Sequence, residues 1–256
     1  MPLHGSDLLA AQRLPIFASV PQENSAQLFH AARLHEFAAG SVLFREGEPA
    51  EWLHIALDGH VALKAKGRDA HDAIIEFVPP GQPFIIAAAL LNRPLLMSAL
   101  VLETSRVILI PASDFRQSVA TDLAFSAALN GCAAEHWRAL VGQIKSLKMR
   151  NGSQRLAAFL LSLVDRRTGE ATVRLPCERR MLASWLGMVP TSASRAFRDL
   201  ATIGVEGHRS LLRIRSLQRL ADFAEQRPSP VWTKSRRRTT SRIASRRVRN
   251  NPIMGH

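Results

Sequence analysis

Residues 190–198, PTSASRAFR, bring hydroxyls and guanidinium groups together at a spacing that one face of a short helix can present. Ala193, Ala196, Phe197 and Leu200 turn inward at i, i+3, i+4 and i+7. That leaves Thr191, Ser192, Ser194, Arg195 and Arg198 outside, with Pro190 at the start. Arg195 carries a planar fork of donors that suits the O6 and N7 acceptors of guanine, and hydroxyls serve either base edges or phosphates. The chemistry on offer is recognition of a polar, anionic surface.

A second helix must hold that face in place. Residues 178–186 supply it, with Met181, Leu182, Ala183 and Leu186 toward a core. Gly187 tolerates the left-handed backbone that closes a helix, and Pro190 opens the next one without losing a needed N–H. Small Ala183 allows the two helices to cross closely. This spacing predicts a helix-turn-helix whose second helix enters the DNA major groove. An αα-hairpin inside a helical core copies the same pattern, so the flanking sequence has to decide.

The chain has 256 residues, 46 % of them hydrophobic, enough for one large or two medium globular domains. Nowhere do apolar residues run together long enough to span a bilayer, and the first residues lack the pattern of a secretion signal. Two cysteines, Cys132 and Cys177, suit a reducing compartment and give no metal-ligand spacing. A cytoplasmic protein is expected. The net charge of +13 is unevenly spread, because Ser229–His256 holds eight basic residues and no acid. The remaining 26 basic and 21 acidic residues leave the body at +5. Residues 227–256 therefore read as a basic disordered tail. Such a tail adds salt-sensitive DNA affinity by counterion release, or is an incidental extension.

Residues 6–18 and 22–33 read as short helices, the second burying Leu28, Phe29 and Ala32. From Leu34 to Pro111 the period becomes that of strands: 41–46, 52–57, 60–65, 72–78, 96–102 and 105–111. Gly40, Gly47, Gly59, Gly67 and Gly81 punctuate them, which indicates a β-sandwich or barrel. A short helix opens at Ser113-Asp114, and Thr121-Asp122 caps a long one from Leu123 to about Lys148. Trp137, Leu140, Val141, Ile144 and Leu147 form its stripe, suited to pairing with a second copy or to packing on its own sheet. Another helix is expected at 153–167, and strands at 172–175 and 211–214 flank the helix-turn-helix as a small wing.

With these residues in view, the chain resembles the CRP/FNR family of bacterial transcription regulators over roughly residues 15–224. The likeness rests on LFREGEPAEWLHIALDGHVAL (43–63), on LKMRNGSQRLAAFLLSL (147–163) and on the helix-turn-helix. It implies an α+β chain. An N-terminal β-roll, a jelly roll like that of cyclic-nucleotide-binding domains, would span 1–121. A dimerisation helix (122–150), a C-terminal winged helix-turn-helix (151–226) and the tail (227–256) would follow. It also implies a homodimer on double-stranded, palindromic operator DNA, with RNA polymerase as a partner. Trp137, Leu140, Ile144 and Leu147 would pair the two copies.

Family contacts carry over by position. The recognition pattern of the FNR branch resembles x-Glu-Thr-x-Ser-Arg, and Pro190-Thr191-Ser192-Ala193-Ser194-Arg195 stands here. Arg195 falls on the guanine-reading arginine and Ser194 on the branch's serine. Thr191 replaces a glutamate that accepts from cytosine, so discrimination at that base pair should be looser. Arg179, His208 and Arg209 fall on backbone-contacting positions, which position without specifying. For Arg198, a phosphate contact and a solvated face weigh equally.

The likeness places an effector pocket in residues 81–101, with Phe84, Ile86, Ala88, Leu91, Met97 and Ser98 as candidates. Cyclic-nucleotide relatives need an arginine before Ser98-Ala99 and a glutamate near Ile86–Ala88. Met97 and apolar residues stand there instead, which argues against a cyclic phosphate. Two cysteines argue against an iron–sulfur cluster. Haem, used by gas-responsive relatives, stays open, with His30, His35, His54, His60 or His71 as ligand, although such an apolar stretch is more often a plain core. Cys132 reads as a redox switch or a packing residue. An enzyme is not expected: a cupin needs clustered histidines, and His54 and His60 stand singly. A regulator that needs no effector, with a degenerate sensor, remains the alternative. Genes of nitrogen-oxide or anaerobic respiration are the targets this branch implies.

Overall fold

The computed structural model describes residues 2–225 except 4, 19, 68–71 and 209. The tail therefore lies outside the described residues, as do His71 and Arg209.

The chain opens with α1 (Gly5–Gln12), a 3-10 turn at Pro15–Phe17 and α2 (Gln22–His30). The single helix expected over 6–18 is thus broken. Pro15 has no N–H to donate and pushes the residue before it out of the helical region. The helix expected over 22–33 stops at His30, because Arg33 already belongs to β1 (Arg33–Phe37).

Seven more strands build the roll: β2 (Val42–Phe44), β3 (Trp52–Ala56), β4 (Val61–Ala65), β5 (Ala73–Val78), β6 (Pro83–Phe84), β7 (Ser98–Val101) and β8 (Ser105–Pro111). They form two four-stranded sheets, ordered β1-β8-β3-β6 and β2-β7-β4-β5, with antiparallel neighbours. Between the sheets lie Phe44, Val61, Leu63, Val78, Phe84, Ala99 and Val107. Leu53, Ile55, Ile108 and Ile110 of the first sheet face the other way, toward Phe17, Phe29, Phe115 and Phe125 of the helical layer. Alternation on β3 and β8 thus divides their side chains between two cores. A helix the sequence did not disclose, α3 (Ile86–Leu91), joins β6 to β7. Its six apolar residues are too few for periodicity to separate helix from strand.

His54 sits on β3 at 6 % exposure, with the Phe44 and Phe84 rings 4.9 and 5.3 Å from its own. Its Nδ1 has no hydrogen-bond partner. Burial lowers its pKa from 6.5 to about 4, against a smaller opposing effect of the Trp52 backbone. The fold therefore holds this imidazole neutral, whereas the unfolded chain protonates it below pH 6.5. Stability from this group is complete above pH 6.5 and is lost as pH falls toward 4, a loss of about 3 kcal/mol. Urea titrations across that window should show the loss in the wild type. A His54→Leu chain should show a flatter profile, and equal slopes would contradict the assignment.

After the roll come α4 (Ala112–Thr121) and α5 (Leu123–Met149). Asp122 caps α5, accepting from the amides of Ala124 and Phe125. The C-terminal half follows: α6 (Gly152–Ser162), β9 (Ala171–Arg174), α7 (Arg179–Trp185), α8 (Pro190–Ala201), β10 (Val205–His208), β11 (Leu211–Ile214) and α9 (Leu217–Glu225). A capping box between Asn151 and Gln154 starts α6. The helix ends at Ser162 rather than 167. Sheet order β10-β11-β9 makes the wing. Leu156, Leu160, Leu182, Leu200, Leu212, Ile214 and Leu217 fill the core beneath. No helix among the described residues is long and apolar enough to cross a membrane.

Candidate nucleic-acid interface

The turn between α7 and α8 forms as its residue types dictate. Gly187 takes φ +63°, and the Met188 amide reaches back to the Ala183 carbonyl at 2.8 Å. Pro190 occupies the first turn of α8. Leu182, Ala183, Leu186, Ala193, Ala196 and Leu200 are buried, while Met181 and Phe197 are half-buried. Ser153 of α6 donates to Asp199 at 2.6 Å, which fixes α8 from behind.

Thr191, Ser192, Ser194, Arg195 and Arg198 are all exposed on α8, beside exposed Pro190. The Ser194 hydroxyl donates to the Pro190 carbonyl at 3.1 Å, so in this state its donor is engaged within the helix. Arg179, expected to reach outward, is held close. Its guanidinium carbon lies 4.2 Å from the centre of the Phe197 ring, and Nη2 donates to the Gly207 carbonyl at 3.3 Å. One side chain thus ties α7 to α8 and to the wing. His208 is exposed at the end of β10.

A concavity of about 790 Å³ runs between α7, α8 and the wing, bordered by Arg179, Arg180, Pro190, Ser194, Arg198 and Gly207. Exposed Arg180 is a cation the sequence reasoning passed over. The consecutive arginines 179 and 180 at the start of α7 were the available signal.

The six candidate effector residues gather only in part, with Phe84, Ala88 and Met97 at the inter-sheet core. Phe84 and Ser98 are buried, and the Ser98 hydroxyl accepts from the Glu46 amide at 2.9 Å. Ala88 and Met97 pack on the inter-sheet core, and Ile86 on the helical one. Leu91 points outward, 66 % exposed. The cause is α3: one short helix distributes its sides between two cores, and side chains fill the roll where a ligand was expected.

The histidines are equally scattered. His30 and His35 are exposed, and His60 bonds Glu103 at 2.5 Å. His54 is enclosed by two phenylalanine rings. Burial raises the thiol of Cys132 and pushes that of Cys177 up to about 12, so both stay protonated and unreactive at neutral pH. Among the described residues, no three His, Cys, Asp or Glu side chains form a metal-binding group.

A larger groove, about 860 Å³, opens elsewhere, between β5, α5 and the corner of α6 and α7. Of the six predicted effector residues only Ile86 borders it. The DNA-binding half here touches the roll. The Ile74 amide donates to the Ser184 hydroxyl at 3.0 Å, and the rings of Phe77, Trp185 and Phe159 run in series at 5.5 and 5.2 Å.

Comparison with known proteins agrees with this architecture. The family model of the cyclic nucleotide-binding domain matches residues 34–122, and that of the Crp-like helix-turn-helix domain matches residues 154–223. A structure from Ruegeria pomeroyi, described as a cyclic nucleotide binding protein, is 32 % identical. The match covers 86 % of this chain and 97 % of that one, with a TM-score of 0.60. One from Silicibacter pomeroyi, described as a cAMP-binding regulatory protein, is 30 % identical over 87 % and 100 % of the two chains, also at 0.60. FixK2 from Bradyrhizobium japonicum is 26 % identical over 75 % and 96 %, at 0.64. No protein with a curated description matches. The chain belongs to the CRP/FNR family. It is a DNA-binding transcription regulator with a β-roll of the cyclic-nucleotide-binding type, a long helix and a winged helix-turn-helix.

Proposed function

We propose that the chain acts as a homodimer that reads a palindromic operator with two copies of α8, under the control of its N-terminal half. The observation that carries the dimer is the free face of α5. Trp137 and Ile144 are 68 % and 52 % exposed, with Val141 and Leu147 also open to solvent. Leu140 is half-buried on the flank of this stripe. A helix of 27 residues with such a stripe buries it by pairing with its own copy. Two-fold symmetry then sets the recognition helices about one DNA turn, roughly 34 Å, apart.

Selection of duplexes from a random pool should return a two-fold symmetric site, and the protein should sediment as a dimer. An Ile144→Glu chain should sediment as a monomer and lose most affinity for that site. Dimers that survive Ile144→Glu, or enriched sites without symmetry, would remove this reading.

Within the interface Arg195 reads bases, supported by its exposure and its place one turn into α8. Thr191, Ser192, Ser194 and Arg198 border it, and Arg180, Pro190 and His208 approach the backbone. Arg209 keeps its sequence-based role. Arg179 acts by positioning the wing. Arg179→Ala should weaken specific binding while the slope of log K against log salt stays near the wild-type value. A slope reduced by about two, one for each copy in the dimer, would mean a direct phosphate contact instead.

The names of the two Pomeroyi relatives point to cyclic nucleotides, but Met97 and the apolar 86–88 stretch offer no cation and no anchoring carboxylate. Haem gains no support from the geometry either, since His54 is enclosed by two phenylalanine rings and none of His30, His35, His54 and His60 borders the large groove. RNA polymerase as partner and control of nitrogen-oxide or anaerobic respiration genes rest on the resemblance to the FNR branch. A filled roll also supports a regulator whose DNA binding needs no ligand in the roll itself.

A further inference from the structure

The groove between β5, α5 and the α6–α7 corner joins the sensory half to the first helix of the DNA reader. Phe77, Pro83, Leu140, Phe159 and Trp185 supply aromatic and aliphatic wall. Several of its polar groups are already engaged. Gln143 donates to the Ile75 carbonyl at 3.2 Å, and His136 Nδ1 lies 3.4 Å from Glu76. Arg155 spends three donors on the carbonyls of Arg150, Leu186 and Gly187. Burial also raises the Glu76 carboxyl, with His136 pulling the other way. An anion entering here would meet the carboxylates of Glu76 and Glu135, while the one guanidinium of the lining has three donors already taken. The volume, about 860 Å³, is that of a site for a small organic molecule.

The contact beside the groove is held at a cost. Where Phe77 packs on Trp185, the indole Nε1–H is buried with no acceptor. An unmet buried donor costs about 1–3 kcal/mol, which is returned when the ring moves to water or to an acceptor. At 100° per residue, Cys132, Ala139, Gln143 and Ser146, which form the back of the groove on α5, lie on the side away from Trp137, Val141 and Ile144. Leu140 and Leu147, on the flank of that stripe, form the near edge of the groove, so a partner helix paired there borders the groove without covering its back wall.

We propose that this groove is a ligand site for an uncharged, flat, apolar molecule of one or two fused rings, and that its occupation releases β5 from α7. The proposal rests on the reading of the chain as a DNA-binding regulator. Binding wedges Phe77 from Trp185, breaks the Ile74–Ser184 hydrogen bond and frees the helix-turn-helix to move relative to the roll. The effector thus acts outside the roll, and no cyclic phosphate is involved.

N-phenyl-1-naphthylamine, an uncharged probe that fluoresces in apolar sites, tests this on the full chain. It should saturate at one probe per chain, with at least tenfold weaker binding of the anionic 8-anilinonaphthalene-1-sulfonate. Ala139→Trp, and independently Ser146→Trp, should plug the groove and weaken probe binding at least tenfold. With probe bound, the Ile74 amide should exchange with solvent at least tenfold faster, and affinity for the selected duplex should change at least fivefold. Unimpaired probe binding in both folded plug variants, tighter binding of the anion, or unaltered exchange at Ile74 would each overturn the proposal. Failure of the wild-type protein to bind any selected duplex, with these probe effects intact, would overturn only the regulator reading beneath it.

Discussion

Replacing Arg195 by alanine should lower affinity for the selected operator about 5- to 150-fold per half-site, the equivalent of 1–3 kcal/mol for each of the two copies, and leave binding to scrambled duplex nearly unchanged. The asymmetry follows from where the side chain stands. Arg195 is exposed near the N-terminal end of α8, the end that enters the major groove, while Ala193 and Ala196 on either side are buried. A guanidinium fork there meets two acceptors of one base at fixed geometry, and scrambled DNA offers no matching pair. Lysine supplies charge without the fork, so Arg195→Lys should keep nonspecific affinity and recover little of the specific part. Competition titrations on both duplexes at one salt concentration measure the two quantities. Equal losses on both would show that Arg195 contacts only the backbone.

The second large effect concerns the roll. Gly59→Ala should cost about 2–5 kcal/mol, and Gly47→Ala only about 1–2 kcal/mol. Both glycines have left-handed backbone, φ +76° and +88°. At Gly47 a new methyl group would meet nothing within 4 Å. At Gly59 it would lie 2.1 Å from the Ser105 hydroxyl and 2.8 Å from the Ser105 Cα. Ser105 is fully buried and paired with Phe37 in the β1–β8 ladder, so it cannot step aside without moving a strand. Urea midpoints of the two variants compare conformational strain alone with strain plus collision. Equal shifts would show that the ladder yields.

The parts of this molecule that follow from short-range pattern were legible in the sequence. The α7–α8 turn follows from Gly187 and Pro190, and the start of α5 from Asp122. The outward set on α8 follows from the inward spacing of Ala193, Ala196 and Leu200. Strands β2 to β5, β7 and β8 follow from alternation between glycines. What escaped depends on partners far apart in the chain. β6 is two residues long and exists because His54 and Ile55 pair with it. The candidate effector residues read from 81–101 are divided because α3 faces two cores at once. The groove is assembled by Glu76 with His136 and by Phe77 with Trp185, pairs no local period could bring together. Arg179 looked like an outward cation because its spacing to Phe197 says nothing of the wing carbonyl at Gly207.

Arg155 also has a mechanical consequence. By collecting the carbonyls of Arg150, Leu186 and Gly187, it clamps the C-terminal end of α5 to the turn of the DNA reader. The junction at 150–152, the obvious hinge between two domains, is thereby stiff. Torque arriving from the roll must be absorbed upstream, inside the long helix. There Gly131 and Gly142 each weaken the helix by about 1 kcal/mol relative to alanine, and a methyl group at either would touch nothing within 4 Å. Of the places where this arm could bend, the two glycines of the shaft are therefore less tied than the junction that Arg155 holds.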